Sequence, residues 1–378
     1  MKKNSEEGMK KFLRTFSFQN RGSTLLAATA LSLQLISCSA AVNTMDPSGA
    51  ALSTRSQDAV YSAALPIPRS SRQTLIKGSF FQPGLVVSWD SSKFASEFQY
   101  MRDVKMDHAI WQWTVNSKPG IQAAYYPTTL PGLVAKGDLV AASLIAAKDK
   151  GLQVWLGLNW NDDWFKMGAT DTNWISNEFL LSRQIASELW SLYGSGSGAA
   201  IAGFYITMEM DNLNFQSAAK QDLMKNAYQT TCDFIHTTTG KPVMVAPFFN
   251  KNVGQNASAY AAMWGSILRS ASIDIVAMQD GVGVHHAGTA DLALWFSEMR
   301  GAIQASRPST KLWSDLETFD ETVGGGYVSA PVSRVITQFQ KVAPYVDKVT
   351  SFSFNHYDSP NRSRTNEYAQ WKAYSDTH

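Results

Sequence analysis

The chain has 378 residues, of which 44% are hydrophobic, 17% charged and 12% aromatic, so a large core is available and general disorder is excluded. Its formal charge of +2 comes from its beginning: residues 1–37 hold six of the 33 Lys and Arg and two of the 31 Asp and Glu, leaving 27 against 29, a net −2. That balance excludes the positive field of a nucleic-acid-binding protein.

The first predicted element is a targeting segment over residues 1–37. Lys2, Lys3, Lys10, Lys11, Arg14 and Arg21 make a basic start, and residues 25–36 form an apolar run too short to span a membrane comfortably. The run ends Leu35-Ile36-Ser37-Cys38, which resembles a bacterial lipobox; the resemblance implies that Cys38 is lipidated and becomes the N-terminus of an exported protein. Ser39 follows, and the lack of Asp there favours the outer of two membranes. The membrane is thus expected as a partner only through this anchor. Residues 38–72, rich in Ala, Ser, Pro and Thr, read as a flexible tether. Cys232 is the other cysteine and falls in a helical pattern, where it reads as a small buried residue.

From 73 to 376 the chain reads as one domain. Eight short strand-type runs follow one another, at 75–82, 107–114, 152–159, 201–209, 242–250, 273–280, 311–317 and 348–356. Between them lie segments of helical period, among them 138–150, 182–193, 217–238, 257–269, 290–306 and 332–346, with Gly151, Gly194 and Gly240 at helix stops. Apolar strands alternating with amphipathic helices predict parallel βαβ units, and eight of them predict a closed (β/α)8 TIM barrel with enlarged βα loops. An open doubly wound sheet would want a glycine-rich phosphate turn after an early strand; here Pro83-Gly84 follows the first run.

In such a barrel the active site lies at the C-terminal strand ends. Those ends carry Gln82, Gln112, Asn159, Glu209, Asn250, Gln279, Asp280, Glu317, Asn355 and His356, a ring of amides and carboxylates suited to a polyhydroxylated ligand. Glu209 ends the fourth run and Glu317 the seventh. Alternation puts Tyr205, Thr207 and Glu209 on one face, and Trp313, Asp315 and Glu317 on another. If both faces point inward, the two glutamates meet across the mouth, the pairing that glycoside hydrolysis needs. Asp211 and Asn212 would orient Glu209, bind a sugar hydroxyl or cap the next helix. Asp315 would raise the pKa of Glu317 or pair with an interior base. The glycines after Asp280 predict a turn approaching a ligand closely. Trp160, Trp164, Phe165 and Trp174 would stack on pyranose faces or pack the long third loop onto the rim. His356 reads as a hydrogen-bond partner of a catalytic glutamate or the ligand. There is no His-Glu-x-x-His and no Gly-x-Ser-x-Gly, so no metal, cofactor or serine nucleophile is expected.

The strand-four and strand-seven pair resembles the large glycosidase clan with that arrangement; the resemblance implies Glu209 as acid/base and Glu317 as nucleophile. Met208 stands where the clan usually has Asn. Further stretches resemble the bacterial barrel family known as domain of unknown function 4434: Gly78-Ser-Phe-Phe-Gln-Pro83, Trp111-Gln-Trp-Thr114, Leu156-Gly-Leu-Asn159, Met208-Glu-Met-Asp-Asn212, Ala246-Pro-Phe-Phe-Asn250, Met278-Gln-Asp-Gly-Val-Gly-Val284, Lys311-Leu-Trp-Ser-Asp315 and Ser351-Phe-Ser-Phe-Asn-His-Tyr-Asp-Ser-Pro360. This resemblance implies a barrel related to glycosidases and names no substrate. The expectation is a glycoside hydrolase acting on an extracytoplasmic polysaccharide or oligosaccharide. The alternatives are a glycan-binding lipoprotein without chemistry, and a transglycosylase using the same residues.

Overall fold

The computed structural model describes residues 75–378; the segment 1–37, Cys38 and the 38–72 tether lie outside the described residues. Eight parallel strands form the expected closed barrel: β1 (Gly78–Phe81), β2 (His108–Trp111), β3 (Gln153–Gly157), β4 (Ile201–Ile206), β5 (Val243–Val245), β6 (Ile275–Gln279), β7 (Lys311–Glu317) and β8 (Lys348–Phe352). Each pairs with its neighbours in the chain, and β8 closes on β1 with Thr350 opposite Gly78. After each strand comes a helix of the outer layer: α1 (Ser91–Asp103), α2 (Leu139–Lys150), α3 (Thr172–Tyr193), α4 (Ala218–Thr239), α5 (Ala257–Ser270), α6 (Leu292–Ser306), α7 (Val332–Val342) and α8 (Thr365–Thr377).

The helices start where short polar side chains satisfy free N–H groups. Asp90, Asp138, Asp171, Ser217 and Asn256 each accept from the backbone N–H three residues on. Gly151 and Gly240 end α2 and α4 in the left-handed conformation, at φ 68° and 65°.

Most strands stop earlier than the sequence pattern predicts; β7 alone fills its whole predicted range. β5 ends at Val245, two residues before Pro247, which has no N–H to give a ladder. After β8 the chain turns into a short helix, Phe354–Tyr357. The enlarged loops gather at the C-terminal rim. Val115–Asn116, Ala123–Ala124, Val134–Ala135 and Asn159–Trp160 make a four-stranded sheet there, and Phe319–Glu321 pairs antiparallel with Tyr327–Ser329.

Inside the barrel, the layer toward the N-terminal end is filled by aromatic rings. Trp155 and Trp313 meet edge to face at 5.7 Å, His108 meets Trp313 at 5.7 Å, and Lys348 Nζ lies 5.0 Å over the Trp313 ring. Gly203 makes room for this: a Cβ there would come within 2.4 Å of both the Trp155 ring and the Pro242 carbonyl oxygen. Trp111, by contrast, faces outward and donates to Ser143 on α2 at 3.1 Å. Cys232 is buried in α4, and burial pushes its thiol up, away from thiolate chemistry.

Candidate active site

Above the tryptophan layer a pocket opens at the C-terminal end, enclosing about 410 Å³ of space free of protein atoms, part of it open to solvent. It is lined by Gln112, Glu209, Gln279, Asp315 and Glu317, with Phe80, Tyr205, Ala246, Val284, Phe319 and Phe352. Five of the sequence-predicted residues therefore come together, including both glutamates.

Glu209 lies beyond the end of β4, where the ladder no longer serves the backbone. Buried side chains take over. Tyr228 of α4 donates to the Met208 carbonyl at 2.6 Å, Trp164 Nε1 to the Glu209 carbonyl at 2.9 Å, and Tyr260 of α5 to the Met210 carbonyl at 3.2 Å. The Met208 and Glu209 carbonyls are thus satisfied by side chains, the Met210 carbonyl also accepts from Phe248 N–H at 3.3 Å, and the Glu209 backbone is fixed. Its carboxyl accepts from Tyr205 Oη at 2.8 Å. Burial pushes the Glu209 pKa up to about 7, against the opposing pull of hydrogen bonds from Gln279 and Tyr205.

Glu317 ends β7, and the loop after β6 wraps around it. Val284 N–H donates to Glu317 Oε2 at 2.9 Å. Gly283 allows this approach, since a Cβ on it would lie 2.2 Å from the Phe319 carbonyl oxygen and 3.0 Å from Glu317 Oε2. Burial and the neighbouring Asp280 carboxyl raise the Glu317 pKa; the backbone donors and Arg334 oppose them. The glycine turn foreseen after Asp280 does approach something closely, and that something is the Glu317 carboxyl.

Asp280 itself does not line the pocket. It is fully buried, accepting from Val282 N–H and Glu317 N–H at 3.2 Å each and from Gln338 Nε2 of α7. It holds the ends of β6 and β7 together. Asp315 lies two residues deeper than Glu317 on the same inward face. Burial, then Asp280, Glu317 and Glu209, push its pKa well above the usual carboxylate range.

The other predicted binders lie outside the pocket, each for a visible reason. Gln82 stands buried at the start of the short helix Pro83–Val86, and its side chain makes no capping hydrogen bond. Asn159 turns toward α3 and bonds Glu178. Trp160 joins the rim sheet and stacks on Trp113 at 5.8 Å; Trp164 stacks on Phe215 at 5.7 Å while holding the Glu209 carbonyl. Phe165 packs against Trp160 and Phe248, and Trp174 against Trp164. These rings fasten the third loop to the rim. Asp211 closes a turn by accepting from the N–H groups of Leu213 and Asn214 at 2.7 and 2.6 Å. Asn212 ties two loops, accepting from Asn250 N–H at 2.9 Å and donating to the carbonyls of Asn250, Val253 and Gln255. The Asn250 side chain accepts from Asn252 N–H at 3.0 Å. Asn355 donates to buried Glu97 at 3.2 Å, and His356 packs on Tyr357 with ring centroids 4.0 Å apart. Burial and the nearby Arg362 and Arg364 bring His356 down to about 3, so it is neutral at pH 7.

The apolar walls Phe80, Phe319 and Phe352 were not foreseen as site residues. Phe80 and Phe352 carry a signal in retrospect, being inward positions near the C-terminal ends of β1 and β8. Among the described residues, no group of three His, Cys, Asp or Glu side chains is arranged to hold a metal ion.

A family model described as domain of unknown function (DUF4434) matches residues 76–364. The chain belongs to that family. Among curated proteins, Uncharacterized protein YbcH of Escherichia coli K12 is 28% identical to this DUF4434 member over 110 residues, 29% of this chain. The match spans only 36% of YbcH's length. Solved structures with the same barrel include a Bacteroides thetaiotaomicron protein described as a candidate α-L-fucosidase, at 18% identity and a TM-score of 0.63, covering 80% of this chain and 95% of that one. The endo-1,4-β-D-mannanase of Thermotoga petrophila gives 10% and 0.56, covering 80% and 100%. The endo-1,4-β-mannanase of Rhizomucor miehei gives 12% and 0.54, covering 79% and 95%. At such identities the likeness is one of fold alone.

Proposed function

We propose that this protein hydrolyses an O-glycosidic bond in an extracytoplasmic glycan, with Glu209 as acid/base and Glu317 as nucleophile. The observation that carries the reading is the convergence of two buried carboxyls, from the ends of β4 and β7, on one pocket. Both are desolvated and burial raises both pKa values, so the roles are assigned by position at the ends of β4 and β7. Glu209 is desolvated and keeps its proton up to about pH 7, so it can protonate the departing oxygen. Burial and Asp280 push the Glu317 pKa up to about 8, and the Val284 N–H and Arg334 pull against them toward the anion that would attack the anomeric carbon. Positive charge developing on the sugar in the transition state favours that anion further. Water then enters, Glu209 takes its proton, and the sugar leaves Glu317. The glycosidase-like neighbours support the same class of reaction.

On this reading the protein works outside the cytoplasm, anchored by lipid on Cys38; the apolar run ending Ser37-Cys38 supports that placement. The test is incubation with a panel of bacterial and plant polysaccharides, followed by an assay for new reducing ends. Wild type is expected to release them. Glu209→Gln and Glu317→Gln, each folded by circular dichroism, are expected to lose about 10²-fold or more in turnover. Unchanged turnover in either variant removes that residue from the mechanism. Tight glycan binding by wild type with no reducing ends makes the protein a binder.

A further inference from the structure

The pocket has acceptors without donors. Asp315 Oδ1 and Gln112 Oε1 belong to pocket-lining side chains, both are buried, and neither has a hydrogen-bond partner. Buried polar atoms of native proteins are rarely left so, and two around one pocket ask for a ligand that brings donors.

Charge narrows the choice. Glu209, Asp315 and Glu317 line the pocket, and no lysine, arginine or histidine does. The nearby bases are engaged elsewhere. Arg334 pairs with Asp320 at 3.2 Å and donates to the carbonyls of Glu317 and Phe319. Lys348 lies below the Trp313 ring and bonds His108 and Asp107. Asp315 is the most isolated of the acids. Its neighbour in register on β8, Thr350, spends its hydroxyl on the Ser314 carbonyl at 2.9 Å, and its neighbour on β6, Gln279, donates to the Ala246 carbonyl at 2.8 Å. The remaining walls are Ala246, Val284 and the rings of Phe80, Tyr205, Phe319 and Phe352, and aromatic rings tolerate or attract cations where anions are repelled. A carboxylated or sulfated sugar would meet three acids here; a neutral one would bring no charge to let any of them ionise.

We propose that the inner end of this pocket receives a sugar unit carrying a protonated amine, with Asp315 as its counter-ion. This rests on the glycan reading above and names the class of glycan: one containing unacetylated amino sugars. Before binding, the crowded acids hold protons that water-exposed carboxyls would release; the ammonium replaces that charge balance, so amine binding expels protons.

The test needs no turnover. Isothermal titration of the protein is done with three matched pairs: glucosamine and glucose, galactosamine and galactose, mannosamine and mannose. At least one amine is expected to bind about tenfold or more tighter than its hydroxyl partner. Repeating the titration in buffers of different ionisation heat is expected to show proton release for that amine alone. Asp315→Asn is expected to bring the pair within about twofold. Equal or weaker amine binding in every pair, including no binding at all, overturns the proposal. So does amine binding without proton release, a wild-type measurement that stands even if the variant fails to fold. Amine-selective binding without hydrolysis of any glycan defeats the hydrolase reading and leaves this one standing. Hydrolysis with no amine preference does the reverse.

Discussion

Glu209 shows how one buried acid would link the proposed catalysis to stability. An ordinary glutamate loses its proton near 4.5, whereas this one keeps it to about 7 because burial disfavours the charge. Between those values the folded protein binds more protons here than the unfolded chain does, so stability falls as pH rises from 4.5 to 7. The shift corresponds to about 3 kcal/mol. Glu209→Gln removes this penalty. In denaturant titrations the variant is expected to match wild type near pH 4.5 and to exceed it by up to about 3 kcal/mol at pH 8. A gap that does not widen with pH would show that the acid is not perturbed. In wild type, kcat/KM is expected to fall above about pH 7 as the proton is lost. The two glutamates were legible in the sequence because a carboxylate at a strand end is out of place in a core. Phe80 and Phe352 were not, because an inward phenylalanine looks the same whether it faces a ligand or another side chain.

At the scale of elements, the loop after β6 decides how Glu317 is held. Gly283→Ala would push a methyl against the Phe319 carbonyl, 2.2 Å away. The loop must then withdraw, and the Val284 N–H leaves the carboxyl. The expected result is a melting temperature lowered in proportion to about 1–3 kcal/mol, with a larger loss in kcat than in KM. Gly84→Ala, where the added carbon meets nothing within 4 Å, is the control and should leave both unchanged. Sequence reasoning misplaced Asn250, Asn355 and His356 for an elemental reason. A period of two holds only while the ladder persists, and β5 and β8 end before those residues. Past its last ladder bond a chain turns to wherever its carbonyls and N–H groups find partners. The loop tryptophans went the same way: Trp164 had a donor to place, and the Glu209 carbonyl was free to take it.

The whole molecule was the most legible level, because eight apolar runs separated by segments of helical period leave few ways to bury every face. The sequence also carries an expectation about where the molecule sits. If lipid on Cys38 is the anchor, Cys38→Ser should move the protein from the membrane fraction to the soluble one and leave its turnover as it was. Retention in the membrane fraction would refute that anchor. The tryptophan layer of the barrel has its own consequence. Trp155 and Trp313 stop the bore directly beneath Asp315, so the pocket is a blind alley. Traffic in a blind alley runs both ways through one entrance. On the proposed reading, a severed sugar would leave by the entrance its precursor used, and accumulating product would compete with fresh substrate for that passage.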